Sequence, residues 1–225
     1  MIDLKGYNGF ALANGDTSFE ANRLSLYCSL NDIPCIRVKN CPDNFVPSGS
    51  VEWCLKQLGK EIIPDYYPDW LSSYFNRKVW KEDKWPIDKK VFIKPSDKYK
   101  RFTGKAIFVG SYKGKKRGPY WCSEIVSFEN EWRYYISNGK VLCGEWYWGD
   151  EINTPKAPNI DHIHIPIEFC GTLDFGMMKV NETIPYKFTL IEVHHPFSCG
   201  WYGKQEDDYI YFQWLVDGWK YMKEI

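Results

Sequence analysis

The part of the chain beyond residue 90 alternates between aromatic or β-branched runs and short breaks at glycine or asparagine, and this pattern most constrains its fold. Such runs are typical of strands. Two of them are separated by Ser137-Asn-Gly-Lys140, and Asn-Gly favours the positive φ angles of a tight hairpin turn. We therefore predict a sheet-rich region with antiparallel pairing. The predicted strands are "KVFIKP", "GKAIFVG", "EIVSF", "EWRYYIS", "KVLCGEWYW", "TLDFGMMKV" and "FTLIEV".

Four segments indicate helices. Apolar residues recur at helical spacing within "SFEANRLSLY", and with the strand-like run "PCIRVK" this segment predicts a small βα unit. A second helix is expected in "SVEWCLKQLGK", which ends at Gly59, and a short third one in "YYPDWLSSYFNR". An amphipathic C-terminal helix, packed on the sheet, is predicted for "DYIYFQWLVDGWKYM".

Composition places the chain among folded globular proteins. Its 225 residues are 44% hydrophobic and 18% aromatic, enough to bury a core in one compact unit. The first residues lack the pattern of an export signal, and no apolar run approaches the roughly 18 residues of a membrane span. The eight cysteines include no Cys-x-x-Cys pair, so reduced thiols and a cytoplasmic location are expected.

Charge is distributed unevenly although the net charge is zero. Residues 77–117 carry 15 Lys and Arg against 4 Asp and Glu, whereas residues 118–225 carry 8 against 16. A basic segment inside a neutral chain indicates an anionic ligand bound at one place, because nucleic-acid binders more often show an overall basic excess. A solvated lysine-rich surface is the alternative.

The first candidate motif is "VFIKPSDKYKRFTGKAI". A predicted strand ends near Lys94, and a polar loop then reaches Thr103 and Gly104 before the next strand. Backbone N–H groups of such a loop can bind phosphates while a lysine supplies positive charge. Neither a Walker motif nor a Rossmann glycine motif is present.

The second motif is "CSEIVSFENEWRYYISNGKV". Glu131 and Arg133 lie two residues apart on a strand and so face the same side. They suit a ribose hydroxyl and a phosphate, but equally a surface salt bridge. The backbone of the preceding residues 124–126 could pair with the edge of a base.

The third motif combines "LDFG" with "LIEVHH". Asp174 and Glu192 lie in apolar strands, where an unpaired carboxylate would be costly to bury, so we expect them to share a cation. His194 faces the same side as Glu192. Oxygen ligands favour magnesium, whereas histidine favours zinc or another transition metal.

In this order the motifs resemble the ATP-grasp superfamily, whose members hold ATP between two α+β lobes. The lysine strand of that family is similar to "VFIKP", its phosphate-covering loop to "FTGKAI", and its adenine-binding linker to "SEIV". Its ribose acid and phosphate arginine are similar to "EWR", and its paired metal strands to "LDFG" and "LIEVHH". The region before them resembles a small bacterial and phage clade in "VPSGSVEW" and "YYPDWLSSYFNRKVW". The resemblance covers about residues 45–205.

The resemblance implies an α+β, ATP-grasp fold in which two lobes with antiparallel sheets clasp ATP. It divides the chain into a small α/β N-terminal region (1–75), a basic nucleotide-binding lobe (76–118) and an acidic metal-binding lobe (119–225). The first 45 residues carry no motif and are the candidate region for substrate specificity.

The resemblance also implies roles for individual residues. Lys94 and Arg133 would be catalytic at the phosphates, and Arg77, Lys78 and Lys81 are candidates for a further phosphate contact. His194 stands where the family usually has asparagine, which implies an altered metal preference. The implied ATP-binding residues are Lys94, Thr103, Gly104, Lys105, Glu124, Ile125, Val126, Glu131 and Arg133. The implied ligands of magnesium, two ions with manganese as an alternative, are Asp174, Glu192 and His194.

The activity implied by the resemblance is that of an ATP- and magnesium-dependent ligase. Such an enzyme activates a carboxylate as an acylphosphate, which an amine or another nucleophile attacks with release of ADP and phosphate. A peptide, a protein or an RNA modified in phage–host conflict is the implied acceptor, with "PFSCGWYG" as a turn beside its site.

Two other hypotheses follow from the residues. A non-catalytic RNA-binding module would use exposed aromatic side chains for stacking and the lysine-rich segment for phosphates. A zinc protein or metallohydrolase would use histidine and cysteine ligands, although no spacing matches a zinc signature. The candidate zinc ligands are His162, His164, His194, His195, Cys170 and Cys199.

Overall fold

The computed structural model describes residues 2–86, 88–99, 101–110, 118–181, 183, 185–197 and 199–225. The strands are β1 (Gly9–Ala13), β2 (Cys35–Val38), β3 (Phe45–Ser48), β4 (Val79–Glu82), β5 (Val91–Pro95), β6 (Lys105–Ile107), β7 (Tyr120–Ser123), β8 (Phe128–Ser137), β9 (Lys140–Trp148), β10 (Gly171–Lys179) and β11 (Tyr186–His194). The helices are α1 (Phe19–Leu30), α2 (Val51–Leu58) and α3 (Asp208–Glu224), with 3-10 helices at Asp69–Tyr74 and Gln205–Asp207. This mixture of helices and mostly antiparallel sheets confirms the predicted α+β class.

The N-terminal part is a small α/β unit. Its three strands are parallel in the order β2-β1-β3, so the carboxyl ends of β1 and β3 lie at one edge, where α1 and α2 begin. The Ser18 hydroxyl caps α1 by accepting from the Ala21 N–H, and the Ser50 hydroxyl caps α2. Gly59 ends α2 with a φ of 73°, as predicted.

The second sheet is antiparallel in the order β4-β7-β5-β6. Its inner face buries a small apolar cluster that includes Ile93, whereas Lys94 points to the opposite face. Strand β6 is shorter than the predicted "GKAIFVG", because Phe108 and Val109 are exposed and have no apolar layer to pack on. Residues 111–117 of the basic segment lie outside the described residues.

The third sheet is antiparallel in the order β11-β10-β8-β9. Its predicted hairpin turn is confirmed, since Asn138 and Gly139 both have positive φ. Helix α3 covers one face of this sheet, and the buried Trp214 indole donates to the carbonyls of Ile136 and Gly171 at 3.0 and 3.1 Å. The other side of α3 packs on the N-terminal unit, so one core joins the first and third sheets.

Three details of the secondary-structure prediction are wrong. The run "EIVSF" is not a strand, because residues 124–127 connect the second sheet to the third and pass between the two ladders. The segment around Asp69–Tyr74 forms a 3-10 helix. Strands β4 and β7 were not predicted, since each has only four residues and no clear alternation. Within the described ranges, no helix combines the length and apolar character that crossing a membrane requires.

Candidate functional site

Three charged residues form a row across the third sheet. Asp174 on β10 lies directly opposite Arg133 on β8 and Glu192 on β11. Side chains at directly opposed positions project from the same face. The structure therefore brings together an arginine and two carboxylates that the sequence had assigned to separate motifs.

Arg133 and Asp174 form a buried bidentate ion pair. The Arg133 Nε and Nη2 atoms donate to the two carboxylate oxygens of Asp174 at 2.8 and 2.7 Å. Burial would lower the pKa of Arg133, but the Asp174 charge outweighs it and raises that pKa well above its ordinary value. The guanidinium also lies 5.4 and 5.1 Å from the ring centres of Tyr147 and Tyr202.

Lys94 connects the second sheet to this row. Its ammonium group forms an ion pair with Glu192 and lies 4.8 Å from the centre of the Tyr66 ring. Burial lowers the pKa of Lys94 to about 7, opposed by the charge of Asp174 and reinforced by nearby arginines. The lysine is therefore held between the two sheets at a place where an incoming anion would find positive charge.

Asp174, Glu192 and His194 form the group of acid, histidine or cysteine side chains in the described part of the chain that could hold a metal ion. One donor atom from each lies within 4.8 Å of the others, and His194 Nε2 is 3.2 Å from Glu192 Oε1. Burial lowers the pKa of His194 to about 3, so its imidazole is neutral near pH 7 and can offer a lone pair. Two carboxylates and an imidazole fit magnesium or manganese.

A cavity of about 260 Å³, here called the inter-sheet cavity, lies between the second and third sheets. Acidic, basic and apolar side chains line it, as a site for a charged molecule with a flat apolar part would require. Burial raises the pKa of Glu131 in its wall. Its lining includes six of the predicted site residues: Lys94, Glu124, Ile125, Val126, Glu131 and Glu192.

Thr103 and Gly104 line an adjoining cavity of about 440 Å³, which also contacts Lys94 and His194. A Cβ atom at Gly104 would lie 2.8 Å from the side chains of Lys94 and Phe92, so glycine allows this loop to approach the lysine closely. Lys105 is not brought to either cavity. It pairs with Ile93, the neighbour of Lys94, and its ammonium lies 5.5 Å from the Trp85 ring on the other face.

Of the three further candidates for phosphate contact, Arg77 lines the inter-sheet cavity. Its guanidinium donates to the carbonyls of Leu190 and Ile191 at 2.6 and 3.0 Å. Lys78 is exposed, and the Lys81 ammonium lies over the Trp121 ring at 4.6 Å. The geometry therefore favours Arg77.

The family of the chain is shown by a match to a family model. Residues 71–212, more than half of the chain, match the model of an ATP-grasp domain, the second family of its clade. The chain belongs to the ATP-grasp family. The matched segment contains every predicted site residue from Arg77 to His194, and the family supports ATP-dependent ligase activity in general terms.

Solved structures similar to this ATP-grasp protein have low sequence identity. One is the ATP-grasp ligase PsnB complexed with minimal precursor, at 9% identity and a TM-score of 0.47 over 86% of this chain and 92% of that one. The D-alanine–D-alanine ligase from Bacillus anthracis with ATP has 9% identity, a TM-score of 0.46 and coverages of 96% and 99%. A RimK domain ATP-grasp protein from Sphaerobacter thermophilus has 8% identity, a TM-score of 0.49 and coverages of 93% and 98%. No curated protein matches the chain.

Several residues of the ATP-grasp site were not predicted from the sequence. Phe92 lies two residues before Lys94, and the period of two could have placed it on the same face. Ile191 could not be found this way. Asp174 pairs with Glu192 and Phe175 with Leu190, so Ile191 is a bulge residue, and both it and Glu192 line the cavity.

The structure does not favour the other two hypotheses. Among the described residues, His194 is the only candidate zinc ligand that belongs to the group able to hold a metal. The remaining five lie outside that group. Trp148, which is 52% exposed, is the only one of the 11 tryptophans that is largely accessible, so tryptophans offer little surface for base stacking.

Proposed function

We propose that this ATP-grasp protein is a magnesium-dependent ligase that activates a carboxylate with ATP and joins it to an amine. The observation that carries the proposal is the inter-sheet cavity, which has Lys94 and Arg77 in its wall and the Asp174–Glu192–His194 group at its end. Cations beside a carboxylate group suit a triphosphate with its metal. A cytoplasmic location, where ATP is available, accompanies this proposal.

The nucleotide would occupy the inter-sheet cavity. Phe128 and Ile191 provide apolar walls for the adenine ring. Residues 124–126 lie between the ends of β7 and β8, so their backbone can pair with the base edge. The Glu131 carboxylate faces the same cavity and would accept hydrogen bonds from the ribose hydroxyls.

The reaction is written as two displacements. A carboxylate oxygen of the substrate attacks the γ-phosphorus, the bond to the β-phosphate oxygen breaks, and ADP leaves. The amine nitrogen then attacks the acyl carbon, the carbon–oxygen bond to phosphate breaks, and the nitrogen loses a proton. Lys94 and Arg133 would stabilise the negative charge on the transferred phosphoryl group. No covalent protein intermediate is required.

The donor set of Asp174, Glu192 and His194 fits a divalent cation, and these residues would hold it. Magnesium supplies charge neutralisation on the triphosphate oxygens when bound. Lys94 would then exchange Glu192 for a phosphate oxygen. The imidazole of His194 would make manganese a better substitute than it is at an all-oxygen site.

Isothermal titration with ATP, with and without magnesium, tests the proposal. We expect magnesium-dependent binding by the wild type and at least tenfold weaker binding by Lys94→Ala, because the variant lacks the ammonium at the phosphates. Lys90→Ala is the matched control, since that exposed lysine lies over Phe108 and outside both cavities. Absence of ATP binding by the wild type, or equal binding by Lys94→Ala, would contradict the proposal.

A further inference from the structure

A second cavity lies in the N-terminal unit, and most of its lining comes from outside the segment that matches the family model. It has a volume of about 500 Å³ and opens at the carboxyl ends of β1 and β3, beside the first turns of α1 and α2. The segment Cys199–Gly200 and helix α3 form its remaining walls. We call it the N-terminal cavity. Carboxyl ends of parallel strands are a common location for ligands.

Two buried hydroxyl groups line this cavity without hydrogen-bond partners among the described residues. Ser48 and Tyr211 are only 7% and 5% exposed. Neither side chain makes a hydrogen bond to any described residue. Buried polar groups in proteins are nearly always paired, so these two hydroxyls point to a bound polar molecule as their missing partner.

The charge of the cavity is negative. Asp16 and Glu20 line it, and among the described residues no lysine or arginine does. The starts of α1 and α2 each contribute about half a positive charge, which two full carboxylate charges exceed. The serine caps at both helix starts already satisfy part of that positive end. A cation is therefore the ligand that the cavity favours.

The N-terminal cavity adjoins the candidate catalytic centre. A Cβ atom at Gly200 would lie 2.6 Å from Glu20 Oε1, so the carboxylate reaches this glycine. On its other side, the Gly200 carbonyl accepts from the Tyr135 hydroxyl at 2.6 Å and from Arg133 Nη1 at 3.5 Å. One chain segment thus separates the cavity from the Arg133–Asp174 pair.

We propose that the N-terminal cavity binds the amine acceptor as an ammonium-bearing amino acid or peptide end. Glu20 and Asp16 neutralise the ammonium, and the hydroxyls of Ser48 and Tyr211 bind its polar groups. The volume of about 500 Å³ is far larger than ammonia requires, which favours an acceptor of amino-acid size or more. As the identity of an acceptor, this inference rests on the proposed ligase function.

Titration with L-alanine amide, which is cationic near pH 7 and has no carboxylate, tests the site. N-acetyl-L-alanine serves as the anionic counterpart of similar size. We expect the amide to bind the wild type and to bind Glu20→Gln about tenfold more weakly, because the variant removes one negative charge and keeps the shape. Tyr211→Phe should weaken binding by a smaller factor. Glu224→Gln, an exposed glutamate of α3, is the matched control and should bind as the wild type does.

ATP titration of the same samples separates the two proposals. ATP binding without binding of the amide would overturn the N-terminal cavity as the amine site and leave the ligase proposal standing. Equal binding of the amide by Glu20→Gln, or preferential binding of N-acetyl-L-alanine, would also overturn it. Binding of the amide that depends on Glu20, in a protein that binds no ATP, would support the amine site and contradict the ligase function.

Discussion

Two ion pairs meet at the candidate catalytic centre, and they differ in how they are built. Arg133 and Asp174 lie on neighbouring strands of one sheet, with side-chain exposures of 9% and 1% and two parallel hydrogen bonds. Lys94 and Glu192 join two different sheets through a single ammonium group, with exposures of 13% and 15%. The first pair is fixed by its geometry, whereas the second borders a cavity on each side of the lysine.

This difference separates a structural contact from an exchangeable one. A planar guanidinium bound to both oxygens of a buried carboxylate has no equivalent replacement partner nearby. An ammonium group is a compact charge on a flexible chain, so Lys94 can release Glu192 when phosphate oxygens enter. The comparison therefore assigns folding stability mainly to Arg133–Asp174 and ligand binding mainly to Lys94–Glu192.

The strongest test of the comparison is Asp174→Asn, which removes the charge and keeps the volume. It would leave the Arg133 guanidinium buried without a counter-charge, so we expect a loss of roughly 3 kcal/mol in the free energy of unfolding. Urea denaturation followed by circular dichroism measures this loss. A change below about 1 kcal/mol would show that the pair contributes little to folding and would remove the distinction.

Glu192→Gln tests the other half of the comparison. The variant breaks the ion pair with Lys94, but that lysine keeps access to water through two cavities, so we expect a stability loss of no more than about 1 kcal/mol. ATP turnover should fall by at least about a hundredfold, equivalent to roughly 2.7 kcal/mol of transition-state stabilisation, because a metal ligand is lost. Turnover close to that of the wild type would exclude Glu192 from the metal group.

The same contrast explains which parts of the site could be predicted from the sequence. Arg133, Asp174 and Glu192 lie in long apolar strands whose alternation of faces is readable, and their residue types narrow the chemistry. Their register across β8, β10 and β11 was not readable, because pairing partners depend on loop lengths and bulges elsewhere. The ATP-grasp family was nevertheless predicted from the order of the motifs, and the family match confirms it.

The residues missed by sequence analysis have a common cause. Tyr66 and Tyr67 come from an irregular segment that has no periodic pattern, yet both reach the site, Tyr66 beside Lys94 and Tyr67 in the cavity wall. The N-terminal cavity was missed because strands β1 and β3 are short, and Ser48 and Glu20 have no motif around them. Such positions are determined by tertiary packing, which local sequence patterns do not record.

The smallest expected effect is that of His194→Asn, which sharpens the comparison at the metal group. An asparagine amide can replace one imidazole nitrogen with an oxygen donor, which magnesium prefers. We expect magnesium-dependent ATP turnover to be retained or increased, and the ratio of the manganese rate to the magnesium rate to fall. Steady-state turnover with each metal measures both quantities. Complete loss of turnover with either metal would mean that the imidazole, held between Glu192 and the edge of Tyr66, has a role that an amide cannot fill. The exchangeable side of the comparison would then extend to His194 as well as Lys94.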